Sequence, residues 1–427
     1  MERTCINQLI EWKNSPRRKP LIIEGARQVG KTWLVKEFGK SHYQNCIYVN
    51  FEQEKSLQNI FEKDLNPQRI IETLQLYTNK VIKPEDSLIF FDEIQAAPSG
   101  ITSLKYFYEN ASQYHIIAAG SLLGMSVHTG ESFPVGKVNF LQMHPMSFIE
   151  FLNAIGKDQF ANALIEQKWS ILSPFHEELC QILKSYLIVG GMPEVVNEYA
   201  EKRDYKVVQE IQREILDSYE RDFSKHAPIN ELPRIRQVWE SVPTQLAKEN
   251  KKFIYGLLRE GARAKDYELA INWICDAGLL LKTNRVTKPE LPLSHYSEPD
   301  IFKLYMLDVG LLSTLSNIRP EIILEGNRIF TEYKGALTEQ FVHQQMTQKK
   351  YEGVYYWTND RSTAEVDFVI QNGNMIIPIE VKAETNVHAK SFKLFCEKYN
   401  PTSAIRTSML PYKDESWMTN IPLYGMI

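Results

Sequence analysis

Three short segments hold residues whose types and spacing could do chemistry. In the first, Gly25, Ala26, Arg27, Gln28, Val29, Gly30, Lys31 and Thr32 follow the full G-x-x-x-x-G-K-[ST] spacing. Small residues let backbone amides close around a triphosphate. Lys31 brings positive charge to the β- and γ-phosphates, and the Thr32 hydroxyl can ligate magnesium. The pattern implies ATP with Mg2+ as ligand, with Lys31 both binding it and acting in catalysis. In the second, LIFFDEIQ, four apolar residues bury a strand, and Asp92 emerges at its C-terminal end, where ligands sit in parallel sheets. Asp92 is expected in the magnesium shell and Glu93 beside the attacking water, so the implied reaction is hydrolysis of the γ-phosphate.

The third set is Asp367, Glu380 and Lys382, spaced D-x12-E-x-K. A metal-dependent nuclease needs carboxylates for a hard cation and a basic group near the attacking water or the phosphate. If the strands on either side of QNGN pair, Asp367 and Glu380 become neighbours. The two-residue step to Lys382 keeps it on the face of Glu380, and Glu365 shares a face with Asp367. Asp367 and Glu380 would then hold a second Mg2+ or Mn2+. The same residues fit an acidic and basic cluster kept for packing, or an inactive binding surface.

Positioning these groups requires particular elements. RKPLIIE reads as a strand entering the loop and WLVKEFG as the helix leaving it. CIYVNFE, DSLIFFDEIQ and HIIAAGS supply three more apolar runs, and runs of this kind separated by helical segments imply a parallel sheet covered on both faces. Ser121, at the end of the fourth run, would either sense the γ-phosphate or cap a helix. Residues 145 to 225 are helical in pattern, broken by GGMPEVV. Residues 228 to 287 offer three helical segments and then a pair of strands, a winged-helix pattern whose role would be DNA contact or protein spacing. Beyond lie a helix at 335–346, a strand at 353–359, a hairpin at 364–383 turning on QNGN, and a helix from near His388. Tyr355, Tyr356 and Trp357 are read chiefly as core, Arg361 as either a phosphate contact or solvated, and Gln340 as a minor polar contact.

The bulk properties narrow the classes. At 427 residues, 43% hydrophobic and 24% charged, the chain is globular and should form two to four domains. A net charge of -4 argues against a uniformly basic nucleic-acid binder but leaves room for a local basic face. The five cysteines form no CxxC pair and the nine histidines show no ligand spacing, so neither zinc nor disulfides are expected. There is no apolar run long enough for a membrane span and no N-terminal apolar leader, so the expected location is cytoplasmic.

RKPLIIEGARQVGKT, LIFFDEIQ, AAGS and VGKVNFLQMHPMSFIEF, in that order, resemble the bacterial and archaeal AAA-like ATPases that carry a C-terminal conserved domain of unknown function. YLIVGGMPEVV, ARAKDYELAINWICDAGLLLK, YMLDVGLL, GALTEQFV, EVDFVI and IEVKA extend the resemblance over nearly the whole chain. It implies an α/β architecture: an AAA-like P-loop parallel-sheet core over 1–145, a helical lid or connector over 146–227, a winged-helix-like domain over 228–290, and an α/β restriction-endonuclease-like domain over 291–427. It also implies that Glu339 completes the carboxylate cluster. Relatives usually show GR where this chain has Gly136 and Lys137. Lysine keeps the charge but not arginine's planar fork, so a role for that position in hydrolysis would imply slow turnover. Two outcomes remain open: ATP gating a nuclease built from Glu339, Asp367, Glu380 and Lys382, or ATP controlling a module that binds DNA, RNA or protein and no longer cuts. A homo-oligomer fits either.

Overall fold

The computed structural model describes residues 2–120, 134–248, 251–325, 331–349, 351–359, 364–383 and 389–427. Ser121, Arg361 and His388 lie outside them. The chain divides into two compact units, one of residues 2–144 with 276–278, the other of 145–275 with 279–427.

The first unit is built on five parallel strands: β1 (Leu21–Glu24), β2 (Asn45–Asn50), β3 (Ser87–Asp92), β4 (His115–Ala119) and β5 (Asn139–Gln142). Their order is β2-β3-β4-β1-β5, and every pairing is parallel. β3 and β4 are buried at every position. This is why they read as continuous apolar runs rather than alternating ones. β5 carries an exposed Phe140 and only one buried residue, so it makes no such run. One core of the unit gathers Ile47, Val49, Phe51, Phe61, Phe91, Leu104 and Phe107, with Phe51, Phe61 and Phe91 in mutual ring contact. Burying such rings stabilises a sheet–helix layer by about 1.5–3 kcal/mol each.

The second unit begins with the helical segments expected for 145–225. Helix Phe148–Ala154 opens on a capping box between Ser147 and Glu150. In GGMPEVV, Gly190 ends helix His176–Val189 at φ 70 and Pro193 starts helix Pro193–Lys202. Space explains Gly190 as well, because a Cβ there would lie 2.1 Å from Asp308 Oδ1. Asp308 caps helix Val309–Leu315 through Leu311 N and also accepts from Gly191 N and Gln344 Nε2. Helix Thr331–Thr347 is fixed from the same side, where Gln340 bonds both backbone groups of Met306. Gln340 is thus a structural clamp.

Eight strands form the second sheet: β6 (Leu280–Val286), β7 (Ser297–Met306), β8 (Gly353–Thr358), β9 (Glu365–Asn372), β10 (Met375–Val381), β11 (Ile405–Ser408), β12 (Lys413–Glu415) and β13 (Met418–Pro422). Their order is β12-β13-β11-β10-β9-β8-β6-β7. QNGN makes the expected tight hairpin: β9 and β10 are antiparallel, Asn372 faces Met375, and Gly373 turns the chain at φ 58. Tyr356 and Trp357 are both buried, on opposite faces of β8, so these aromatics are core. Helices Leu232–Leu246 and Ala264–Asp276 precede β6 and β7, which pair antiparallel. That pair does not stand alone, however, because Arg285 and Val286 of β6 pair in parallel with Tyr356 and Trp357 of β8. The boundary expected at 290 therefore falls between two hydrogen-bonded strands of one sheet. Apolar alternation marks a strand but not which neighbour it joins.

Candidate nucleotide site and the acidic–basic cluster

The loop expected to bind phosphate leaves the C-terminal end of β1 and ends at helix Lys31–His42. Gly25 (φ 144), Gln28 (φ 63) and Gly30 (φ 92) have positive φ, which turns the backbone tightly enough to curl. At Gly25 a Cβ would lie 2.3 Å from the Met143 carbonyl oxygen, so only glycine fits. Helix Lys31–His42 starts with no side-chain cap and no acidic residue in its first turn. Its free amides and positive dipole end therefore face the loop, as anion binding requires. The Lys31 ammonium donates to the carbonyls of Gly25 (2.8 Å) and Ala26 (2.7 Å). Burial lowers its pKa to about 8, opposed by the negative charges of Glu93 and Asp92.

Parallel pairing through β4 sets β3 near β1, and Asp92 stands at its end. Asp92 Oδ2 accepts from the Thr32 hydroxyl at 2.8 Å and from the Tyr48 hydroxyl at 3.1 Å. Thr32 and Asp92 are thus adjacent oxygen donors of the kind magnesium takes. Glu93 has left-handed backbone angles (φ 50, ψ 44), an uncommon state for a non-glycine residue and one that concentrates at functional sites. Its carboxylate accepts from Gln95 Nε2 at 2.5 Å. Sequence reasoning passed over two groups here. Arg3, buried near the N-terminus, braces the loop by donating to the carbonyls of Val29 (2.8 Å) and His144 (2.7 Å). Tyr48 alternates with buried β2 residues as any half-exposed strand residue would, and nothing in its spacing marks it. Lys137 precedes β5, whose Asn139 pairs with Leu21 at the start of β1. It therefore sits at the end of the sheet away from the loop, held by Glu109 at 3.0 Å, and cannot serve the phosphates of its own chain.

Residues 17–152 match the AAA domain family. The protein is an ATPase. Two further families, each described as a domain of unknown function, match this ATPase at residues 180–322 (DUF8612) and 334–424 (DUF4143). No curated protein matches it. Among solved structures it is similar to the Walker-type ATPase PABY2304 of Pyrococcus abyssi, at 15% identity over 74% of this chain and 95% of that one, TM-score 0.45. It is also similar to the Aeropyrum pernix Orc1 protein in complex with DNA, at 15% identity over 73% and 90%, TM-score 0.31. A third, Cdc6p from Pyrobaculum aerophilum, shares 10% identity over 76% and 90% or more of its own length (94%), TM-score 0.26. These scores are too low to carry overall topology. Among the described residues no helix of the ATPase is long and apolar enough to cross a membrane.

In the second unit, Glu339, Glu365, Asp367, Glu380 and Lys382 do come together, but with two lysines that the sequence spacing did not reveal. Lys251 and Lys303 both engage Glu339, Lys303 at 3.7 Å from one oxygen and Lys251 in a short contact with the other. Lys303, fully buried on β7, also reaches Glu365 at 2.5 Å and lies over the Tyr356 ring. Lys382 pairs with Glu380 at 2.7 Å, and Asp367 Oδ2 accepts from Val381 N at 2.8 Å. Burial pushes Asp367 well above the usual carboxylate range, reinforced by the charges of Glu339 and Glu380. For Glu339 burial works upward, but Lys251 and Lys303 outweigh it and hold this carboxyl down. Burial alone would lower Lys303, yet Glu365, Tyr305 and Glu339 raise it well above the ordinary lysine value.

The carboxylates of Glu339, Glu365 and Glu380 pair with the ammonium groups of Lys251, Lys303 and Lys382, three against three. Among the described residues there is no group of three or more His, Cys, Asp and Glu arranged to hold a metal ion. The structure therefore gives no support to a second Mg2+ or Mn2+ on Asp367 and Glu380. The local negative charge a divalent cation would need is already neutralised by lysine.

Proposed function

We propose that ATP binding and hydrolysis in the first unit control a restriction-endonuclease-like C-terminal domain that binds nucleic acid or protein without cutting it. The observation that carries this reading is the occupation of both Glu339 oxygens by Lys251 and Lys303. It favours a binding module over a nuclease using Glu339, Asp367, Glu380 and Lys382.

In the ATPase reaction the loop amides of residues 25–32 bind the phosphates, and Lys31 turns from the Gly25 and Ala26 carbonyls to the β- and γ-phosphate oxygens. Thr32 and Asp92 would hold magnesium, which would supply positive charge to offset the phosphates. Glu93 orients the attacking water and accepts its proton, giving ADP and phosphate. Ser121 would serve as a sensor of the γ-phosphate. Lys137, unable to reach its own chain's site, would act on that of a second copy in a cytoplasmic homo-oligomer. The four-part division at 145, 227 and 290 describes the sequence modules, with the last two sharing one sheet.

The test is cleavage of single- and double-stranded DNA and RNA with magnesium or manganese, with and without ATP, comparing wild type with Asp367→Ala. A preparation that hydrolyses ATP should cut none of them, and manganese titration should show no site lost on Asp367→Ala. Cleavage abolished by Asp367→Ala would establish the nuclease instead.

A further inference from the structure

Gln95, in the short turn Ile94–Ala96, bonds the carboxylate that the proposed mechanism places beside water. Because a carboxylate can only accept, the amide nitrogen of Gln95 must face Glu93, and its carbonyl oxygen is oriented the other way. That oxygen is buried and has no hydrogen-bond partner among the described residues. An unpartnered buried acceptor costs on the order of 1–3 kcal/mol, and such groups call for a partner that arrives later, such as water or substrate.

A water molecule attacking phosphorus presents two hydrogens. One can go to Glu93, which then takes the proton, and fixing the water's orientation needs a second acceptor. Asn50, at the end of β2 opposite Asp92, is the alternative polar neighbour. Its oxygen is already committed to the amides of Glu52 and Gln53 at 3.0 Å each, and its nitrogen to the Tyr48 hydroxyl at 3.3 Å. The open acceptor belongs to Gln95, attached to Glu93 by a 2.5 Å hydrogen bond.

We propose that Gln95 is a catalytic residue of the ATPase, its amide nitrogen aiming the Glu93 carboxylate and its carbonyl oxygen accepting the second hydrogen of the attacking water. The inference rests on the assignment of Glu93 to water. No bond beyond those of hydrolysis is involved: water oxygen bonds to phosphorus, the bond to ADP breaks, one proton goes to Glu93, and the other stays on the product oxygen.

The experiment measures kcat for ATP and the Kd of a fluorescent ATP analogue in full-length wild type, Gln95→Ala, Gln95→Glu, Glu93→Gln and Glu93→Gln/Gln95→Ala, with melting temperature as a folding control. Gln95→Ala should lower kcat about 10- to 100-fold with Kd within about threefold, since orientation of water matters only in the reaction. Gln95→Glu keeps an acceptor but loses the donor and adds charge, so it should lower kcat and move the acidic limb of the kcat–pH profile to higher pH. In the Glu93→Gln background, Gln95→Ala should add little, because the two act as a unit. Turnover by Gln95→Ala within twofold of wild type, with Glu93→Gln inactive, would overturn the role of Gln95 alone. So would a loss of kcat matched by a loss of nucleotide binding. An active Glu93→Gln would instead remove the assignment of Glu93.

Discussion

Lys303→Met replaces a fully buried ammonium by an apolar side chain of similar length, and its cost can be worked out from the contacts. The ammonium lies 2.5 Å from Glu365 and 3.7 Å from Glu339. At an effective dielectric constant of about 20, these separations give about 7 and about 4.5 kcal/mol of attraction. Several kcal/mol of desolvation oppose that attraction, and Glu365 keeps 24% of its side chain in solvent, which screens the stronger contact. Removing only the cation leaves Glu339 with Lys251 alone and Glu365 with none of this support. The expected loss is about 3–5 kcal/mol, the usual cost of breaking a buried pair from one side. For a unit of this size it corresponds to a fall in melting temperature of roughly 6–20 °C. Calorimetry of the full chain with saturating ATP separates this transition from that of the nucleotide-binding unit. In Lys303→Met/Glu365→Leu both partners are gone, and the double variant should be at least about 1 kcal/mol more stable than the sum of the single losses predicts. A Lys303→Met protein within about 1 kcal/mol of wild type would refute the view that lysine neutralises this cluster.

Other perturbations follow the same logic. Lys31→Ala should abolish most ATP turnover, and in wild type the ATP analogue should bind more weakly as pH rises above about 8, where the empty site's lysine loses its proton; binding titrations from pH 6.5 to 9.5 check the sign. Gly25→Ala should reduce nucleotide affinity at least about tenfold, because the new methyl group would meet the Met143 carbonyl at 2.3 Å. Arg3→Ala removes the brace on Val29 and His144 and should cost about 1–3 kcal/mol in urea denaturation together with a raised KM for ATP. Burial holds the Asp367 carboxyl above the usual carboxylate range, so it binds more protons in the native state than in the unfolded chain once pH exceeds the ordinary carboxylate value. Stability should therefore fall as pH rises through the window between that value and its raised pKa. Asp367→Asn should flatten this decline and be at least as stable as wild type at pH 8 in urea titrations.

The nucleotide site was the most legible part of the sequence, since a phosphate loop is contiguous and its chemistry admits few substitutes. Asp92 and Glu93 could be placed because four apolar residues fix where the strand ends. Arg3, Tyr48 and Gln95 were not legible: each acts through a contact made only when the chain folds, and each is an ordinary residue in its local pattern. The same holds in the second unit. The QNGN hairpin and the proximity of Asp367, Glu380 and Lys382 follow from strand periodicity. Lys251 and Lys303 come from distant segments, and they change the chemistry of the cluster more than any residue within the spacing does. β5 was obscured by its exposed Phe140, which breaks the buried run.

The parallel pairing of β6 with β8 separates the unit of inheritance from the unit of folding. Family resemblance divides this region near 322–334, between two domains of unknown function, yet β6 and β8 pair across that division at Arg285 with Tyr356 and Val286 with Trp357. A fragment beginning at 291 would keep β7 without its partner and leave β8 with an open edge, a template for association with other chains. A fragment ending there would lose the strand that pairs with β6 all along its length. The two modules can be recombined in evolution only where the receiving partner brings a matching strand register, which ties the history of one to that of the other.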